Sequence, residues 1–114
     1  MVKHEADALT LYKRWSLRPD VTVDDVRRFV VERILPAYER LSPDVELGLE
    51  AEADGRSVIA VQRWSNVFAH ESAFTGASFE KWWADYQPTL VDWDELVTFV
   101  DEWATHLVVL PERK

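Results

Sequence analysis

Two polar residues on apolar strand faces, Lys13 and Gln62, are the positions in this sequence that most invite a chemical explanation. Burying either without a partner costs on the order of 1–3 kcal/mol, so a cavity holding water or a small molecule would account for them. The competing reading is that both lie near strand ends and carry their polar tips to solvent. Trp15, Trp64, Phe68, Trp82, Trp83 and Tyr86 are the aromatic residues that could wall such a cavity beside them. A count of six Trp in 114 residues suits a Trp-rich core as well as an aromatic-lined pocket. His70 and Tyr86 are the titratable candidates for orienting a ligand hydroxyl or taking its proton. His4, His70 and His106 do not cluster, and none has a partner at metal-ligand spacing, so no metal is expected. The acidic residues form no evident acid–base pair. There is neither a Gly-rich phosphate loop nor a nucleophile elbow, and no cofactor is expected.

The length implies one domain over residues 1–114. Net charge is -8, from 21 acidic and 13 basic residues. Phosphate neutralisation by Lys and Arg drives nucleic-acid binding, so this balance speaks against it, and equally against anionic membrane surfaces. Cysteine is absent, which excludes disulfides and thiolate metal sites. No apolar run approaches the roughly 20 residues that span a bilayer. Residues 1–5 lack the apolar core of a signal peptide, and a cytoplasmic protein with no membrane partner is expected.

The elements that must position these side chains follow from periodicity. Residues 1–7 are polar and expected to be loose. Residues 8–17 alternate, with Leu9, Leu11, Trp15 and Leu17 on the side that also carries Lys13, which reads as a half-buried strand. Thr22 before Asp24-Asp25 starts a helix, along which Val26, Phe29, Val30, Ile34, Ala37 and Leu41 share one face. Pro36 interrupts it and predicts a kink near Leu35. Val45, Leu47, Leu49, Ala51 and Ala53 then alternate with Glu46, Gly48, Glu50 and Glu52 as a second strand. Asp54-Gly55 predicts a tight hairpin into residues 58–64. A broken aromatic helix follows, interrupted at Thr75-Gly76, reopened at Ser78 and halted by Pro88. Residues 90–94 read as an unassigned connection. Residues 96–110 read as a last strand bulged at Asp101-Glu102 and ended by Pro111, with a helix over residues 96–103 as the alternative.

This order, strand, helix, strand, strand, helix, strand, predicts an α+β, ferredoxin-like βαββαβ fold: a four-stranded antiparallel sheet covered by helices on one face. Strands one and three should be central neighbours. The uncovered face would carry Glu46, Glu50 and Glu52 on strand two, Ile59, Val61 and Arg63 on strand three, and Tyr12 and Arg14 on strand one. Ile59, Val61 and Tyr12, with Val108 and Leu110, are too apolar as a group to stay wet. A homodimer joined through that face is expected, using Tyr12, Arg14, Ile59, Val61 and Arg63.

The run Trp64-Ser65-Asn66-Val67-Phe68-Ala69-His70-Glu71-Ser72-Ala73-Phe74-Thr75-Gly76-Ala77-Ser78-Phe79 resembles the strand-to-helix signature of antibiotic-biosynthesis-monooxygenase-type domains. The resemblance covers about a quarter of the chain by motif and all of it by element order. It implies a dimeric α/β barrel and cofactor-independent oxygenation of an aromatic, polycyclic small molecule. In that case His70 or Tyr86 would orient or deprotonate a phenol, with Trp64 and a neighbouring Trp stacked on its rings. The family's helix His would fall at Ala73, and a second near Ser78. Haem-degrading relatives use an Asn on strand one, where this chain has Tyr12, Lys13, Arg14 and Trp15, so haem is not an expected ligand. A non-catalytic dimeric domain that binds an aromatic small molecule is the alternative.

Overall fold

Three strands meet first through a hairpin and then through a long-range pairing, and the computed structural model describes them within residues 8–111. The expectations for residues 1–7, including His4, lie outside the described residues. Strand β2 (Val45–Ala51) turns at Asp54-Gly55 into β3 (Ser57–Trp64). Gly55 holds φ +70, the left-handed conformation that glycine adopts without steric cost, and the Asp54 carboxylate accepts from the Arg56 N–H at 2.8 Å. Strand β1 (Leu9–Leu17) pairs antiparallel with β3, and β4 (Val97–His106) pairs antiparallel with β1. The strand order is β2-β3-β1-β4. This is the ferredoxin-like α+β arrangement, with β1 and β3 at the centre.

The first helical segment begins as its sequence suggests. Thr22 accepts from the Asp25 N–H, and the Asp25 carboxylate accepts from the Thr22 N–H, a reciprocal box at the start of α1 (Val23–Phe29). Beside Pro36 the helix is irregular. A π-helical turn, Val30–Ile34, precedes α2 (Leu35–Leu41), so Pro36 sits in the first turn of a new helical segment, where a missing N–H costs little.

After β3, Asn66 caps α3 (Val67–Ala73), its side-chain oxygen accepting from the Ala69 N–H at 2.7 Å. The next helix, α4 (Gly76–Asp94), reopens at Gly76 rather than Ser78 and corrects two further expectations. It runs through Pro88 and takes in residues 90–94. Burial explains why. Tyr86, Thr89 and Trp93 lie on its buried side, while Pro88 and Ala84, whose carbonyl loses its helical donor to the proline, are exposed to water.

The last strand also differs from expectation. It ends at His106, four residues before Leu110, and a helix over residues 96–103 is not formed. The irregularity lies beside Val100, where the pairing shifts between Arg14↔Asp101 and Trp15↔Phe99, not at Asp101-Glu102.

The helices cover one sheet face and divide the core in two. Leu17, Val26, Val58, Trp93 and Val97 form one buried cluster, and Ala37, Trp82 and Tyr86 form the other. On the opposite face Tyr12 stacks on Trp103 with centroids 5.2 Å apart, and the Arg14 guanidinium lies 5.0 Å from the Trp103 ring. Arg14 also donates to the Asp101 carboxylate at 3.0 Å. Its Nε stands 3.2 Å from Glu52 Oε1, but out of line for a hydrogen bond. Val61, expected to offer surface to a partner, is only 2% exposed and is already covered within the chain. No helix is long and apolar enough to cross a membrane among the described residues.

Candidate functional site

A cleft of about 230 Å³ lies between the two core clusters, closed by the sheet on one side and by the helices on the other. Lys13 and Trp15 from β1, Leu49 from β2 and Gln62 from β3 make its floor. The alternation of β1 and β3 brings Lys13, Trp15 and Gln62 to one face, because residues two apart on a strand point the same way. Val30 and Ile34, the two ends of the π-helical turn, line the opposite wall together with Tyr38 from α2. Trp83, Tyr86 and Trp93 of α4 complete it.

Five of the residues singled out in the sequence thus meet in one place: Lys13, Trp15, Gln62, Trp83 and Tyr86. Lys13 is exposed although it lines the cleft. The adjacent indoles of α4 separate as helix geometry requires. Trp82 is buried and donates to the Ala37 carbonyl, whereas Trp83 is 45% exposed and stacks on Phe79. Trp64 and Trp82 lie in the core rather than on the cleft wall. Phe68 is 76% exposed on α3, away from the cleft. His70 packs on Trp64 and Phe74 with centroids 5.1 Å from each, and it does not line the cleft.

Trp64 acts on the site from behind. Its Nε1 donates to Gln62 Oε1 at 3.0 Å, and Gln62 Nε2 in turn donates to the Tyr38 hydroxyl at 3.2 Å. Tyr38 went unnoticed in the sequence because it lies beyond Pro36, where the expected kink left its direction open. Burial raises the pKa of Tyr38, with the Gln62 hydrogen bond opposing, and burial followed by the nearby Tyr38 raises that of Tyr86 well above 10.0. Both phenols therefore keep their protons at neutral pH, and Tyr86 is a poor base. Desolvation lowers the pKa of His70 below 6.5, with Glu71 opposing. Among the described residues, no three His, Asp or Glu side chains converge as metal ligands would.

This sheet and its cleft define a class: the chain has the fold of antibiotic-biosynthesis-monooxygenase-type proteins. SnoaB, a cofactor-independent oxygenase from Streptomyces nogalater, superposes with a TM-score of 0.62 at 18% identity, over 94% of this chain and all (100%) of that one. HapK from Hahella chejuensis matches with a TM-score of 0.59 at 13% identity, covering 93% of this chain and 98% of that one. A Chloroflexus aurantiacus protein described as an antibiotic biosynthesis monooxygenase matches at 0.57 and 10% identity, over 92% of this chain and 97% of its own. No family model matches the chain, and no curated protein matches it in sequence.

Proposed function

We propose that this protein is a homodimeric, cofactor-independent oxygenase acting on a small aromatic compound bound between sheet and helices. The observation that carries this is the cleft itself, faced by Trp15, Tyr38, Trp83, Tyr86 and Trp93 on a fold shared with an oxygenase of that kind. Its volume is below the roughly 300–1,000 Å³ of drug-sized pockets, so a bicyclic ring system suits it better than a tetracyclic one. Among the described residues, no carboxylate or imidazole lines the cleft, and Tyr86 holds its proton too tightly to act as a base. His70 lies outside the lining, so the catalytic pair His70 and Tyr86 is replaced in this proposal by a self-ionising phenol whose anion the Lys13 ammonium stabilises. The electron-rich phenolate then reacts with dioxygen. With 1-naphthol as the test compound, the substrate loses two hydrogens. One oxygen atom ends in the new quinone carbonyl and the other in water, with no external reductant.

The partner copy belongs to the same proposal. Tyr12, Arg14, Ile59 and Arg63 on the open sheet face, without Val61, would meet their counterparts across a two-fold axis. A cysteine-free chain suits the reducing cytoplasm, where we place it. Oxygen uptake with 1-naphthol, stoichiometric with 1,4-naphthoquinone and abolished by Lys13→Met, is the expected result. Ring binding without oxygen uptake would instead support the non-catalytic binding domain, which the lack of a side-chain base in the cleft favours.

A further inference from the structure

The direction of the hydrogen bonds behind the cleft decides what the cleft can recognise. An indole N–H only donates. Trp64 is 1% exposed, and its Nε1 lies 3.0 Å from Gln62, so the Gln62 atom facing it must be the amide oxygen. The NH₂ group of Gln62 is then turned to Tyr38, and the Tyr38 oxygen must accept from it. The phenolic proton of Tyr38 has to leave in another direction, and it meets no acceptor among the described residues. The buried indole thereby sets the polarity of a hydroxyl two residues along the relay.

The remaining polar side chains of the wall add donors, though the Tyr86 hydroxyl can accept as well as donate. The Tyr86 hydroxyl makes no hydrogen bond to another described residue, and Trp15 Nε1 is a buried donor without an acceptor. Lys13 supplies a cation; Glu102 stands opposite it across β1 and β4, yet no ion pair joins them. Among the described residues, no Asp or Glu lines the cleft, although the chain as a whole carries a charge of -8.

Resting on the aromatic-cleft proposal above, we infer that the site selects ring compounds bearing an acceptor oxygen, preferably anionic, held by the Tyr38 hydroxyl as the specificity-determining donor. Arylmethylammonium ions and other cations are rejected, since they would bring a positive charge to Lys13 and further donors to a wall rich in donors.

Calorimetric titration with 2-naphthoate and with 2-naphthylmethylammonium separates the possibilities, because the two share a ring and differ in the polarity of the substituent. The naphthoate is expected to bind at least about tenfold more tightly. Tyr38→Phe should lower naphthoate affinity about tenfold and leave the ammonium compound unaffected. Trp64→Phe tests the relay without adding charge or altering the ring of Tyr38: with no indole donor to fix it, the Gln62 amide can turn its oxygen to the phenolic proton, and the preference for naphthoate should vanish. Equal binding of the two probes to the wild type, or wild-type selectivity in both variants, would overturn the inference while keeping the aromatic cleft. Binding of neither probe would overturn the cleft as an aromatic site, and the inference with it.

Discussion

His70 shows how a single side chain can be prominent in sequence and yet act on stability rather than at the cleft. Its ring is wedged between Trp64 and Phe74, and the folded chain therefore disfavours the imidazolium. The unfolded chain binds a proton as pH falls through 6.5, whereas the folded chain binds it only at lower pH. Stability accordingly falls with acidification in the window beginning near that value. His70→Gln is expected to flatten the dependence of Tm between about pH 7 and about pH 5; identical slopes in the two proteins would show that the ring is not desolvated. Asp24 and Asp25 act in a separate window. The Arg27 partner of Asp24, and the Thr22 hydrogen bonds of Asp25, lower their pKa values, so their contribution is lost only as pH drops through the region below 3.8. Tyr38 is the converse of His70: it carries no sequence signal, and it gains its place from a hydrogen bond that only the folded chain makes.

At the scale of elements, both helical segments carry a proline, and each accommodates it differently. Ahead of Pro36 the helix widens into the π turn, and the two ends of that turn face the cleft. At Pro88 the helix α4 continues, because Thr89, Leu90 and Trp93 are needed by the core and the orphaned carbonyl is wet. Pro88→Ala should therefore stabilise the protein by about 1–2 kcal/mol: the roughly 3 kcal/mol cost of an interior proline is partly relaxed, and about 0.4–1 kcal/mol is returned by greater freedom of the unfolded chain. Urea denaturation checks this, and an unchanged or lower midpoint would mean that the ring packs usefully where it stands. Trp82→Phe addresses the junction of α2 with α4. The Ala37 carbonyl keeps its helical partner within α2, so loss of the indole donor removes one buried tertiary hydrogen bond, a destabilisation of about 0.5–1.5 kcal/mol in the same assay.

The whole molecule is less compact than one subunit of its length usually is. Its radius of gyration is 15.7 Å, against about 13 Å for a globular chain of this size. Strand β4 is exposed along nearly all its length, and residues 107–110 beyond it leave Leu107, Val108, Val109 and Leu110 open to solvent. Apolar surface left open in this way invites association, and we add Val108 and Leu110 to the contact proposed for the open sheet face. Light scattering should give twice the 13.3 kDa of the chain. Val108→Glu with Leu110→Glu should return a folded monomer, since neither side chain is buried in the subunit. A wild-type monomer at micromolar concentration would sink the dimer.

What could be read from the sequence was whatever depends on local period and local chemistry. Strand alternation placed Lys13, Trp15 and Gln62 on one face, the Asp54-Gly55 pair set the hairpin, and the Thr22 and Asn66 caps marked two helix starts. From these the element order and the ferredoxin-like sheet followed. Tertiary structure decided the rest, because it turns on energies that are not local. Core burial carried α4 past Pro88, and a register shift opposite Arg14 and Trp15 moved the bulge to Val100. The separation of Trp64 from the cleft, and of Tyr38 into it, depends on which neighbours fold against each ring. The polarity of the Tyr38 hydroxyl arises from a relay joining α2 to β3, distant in sequence, whose direction a buried indole donor settles.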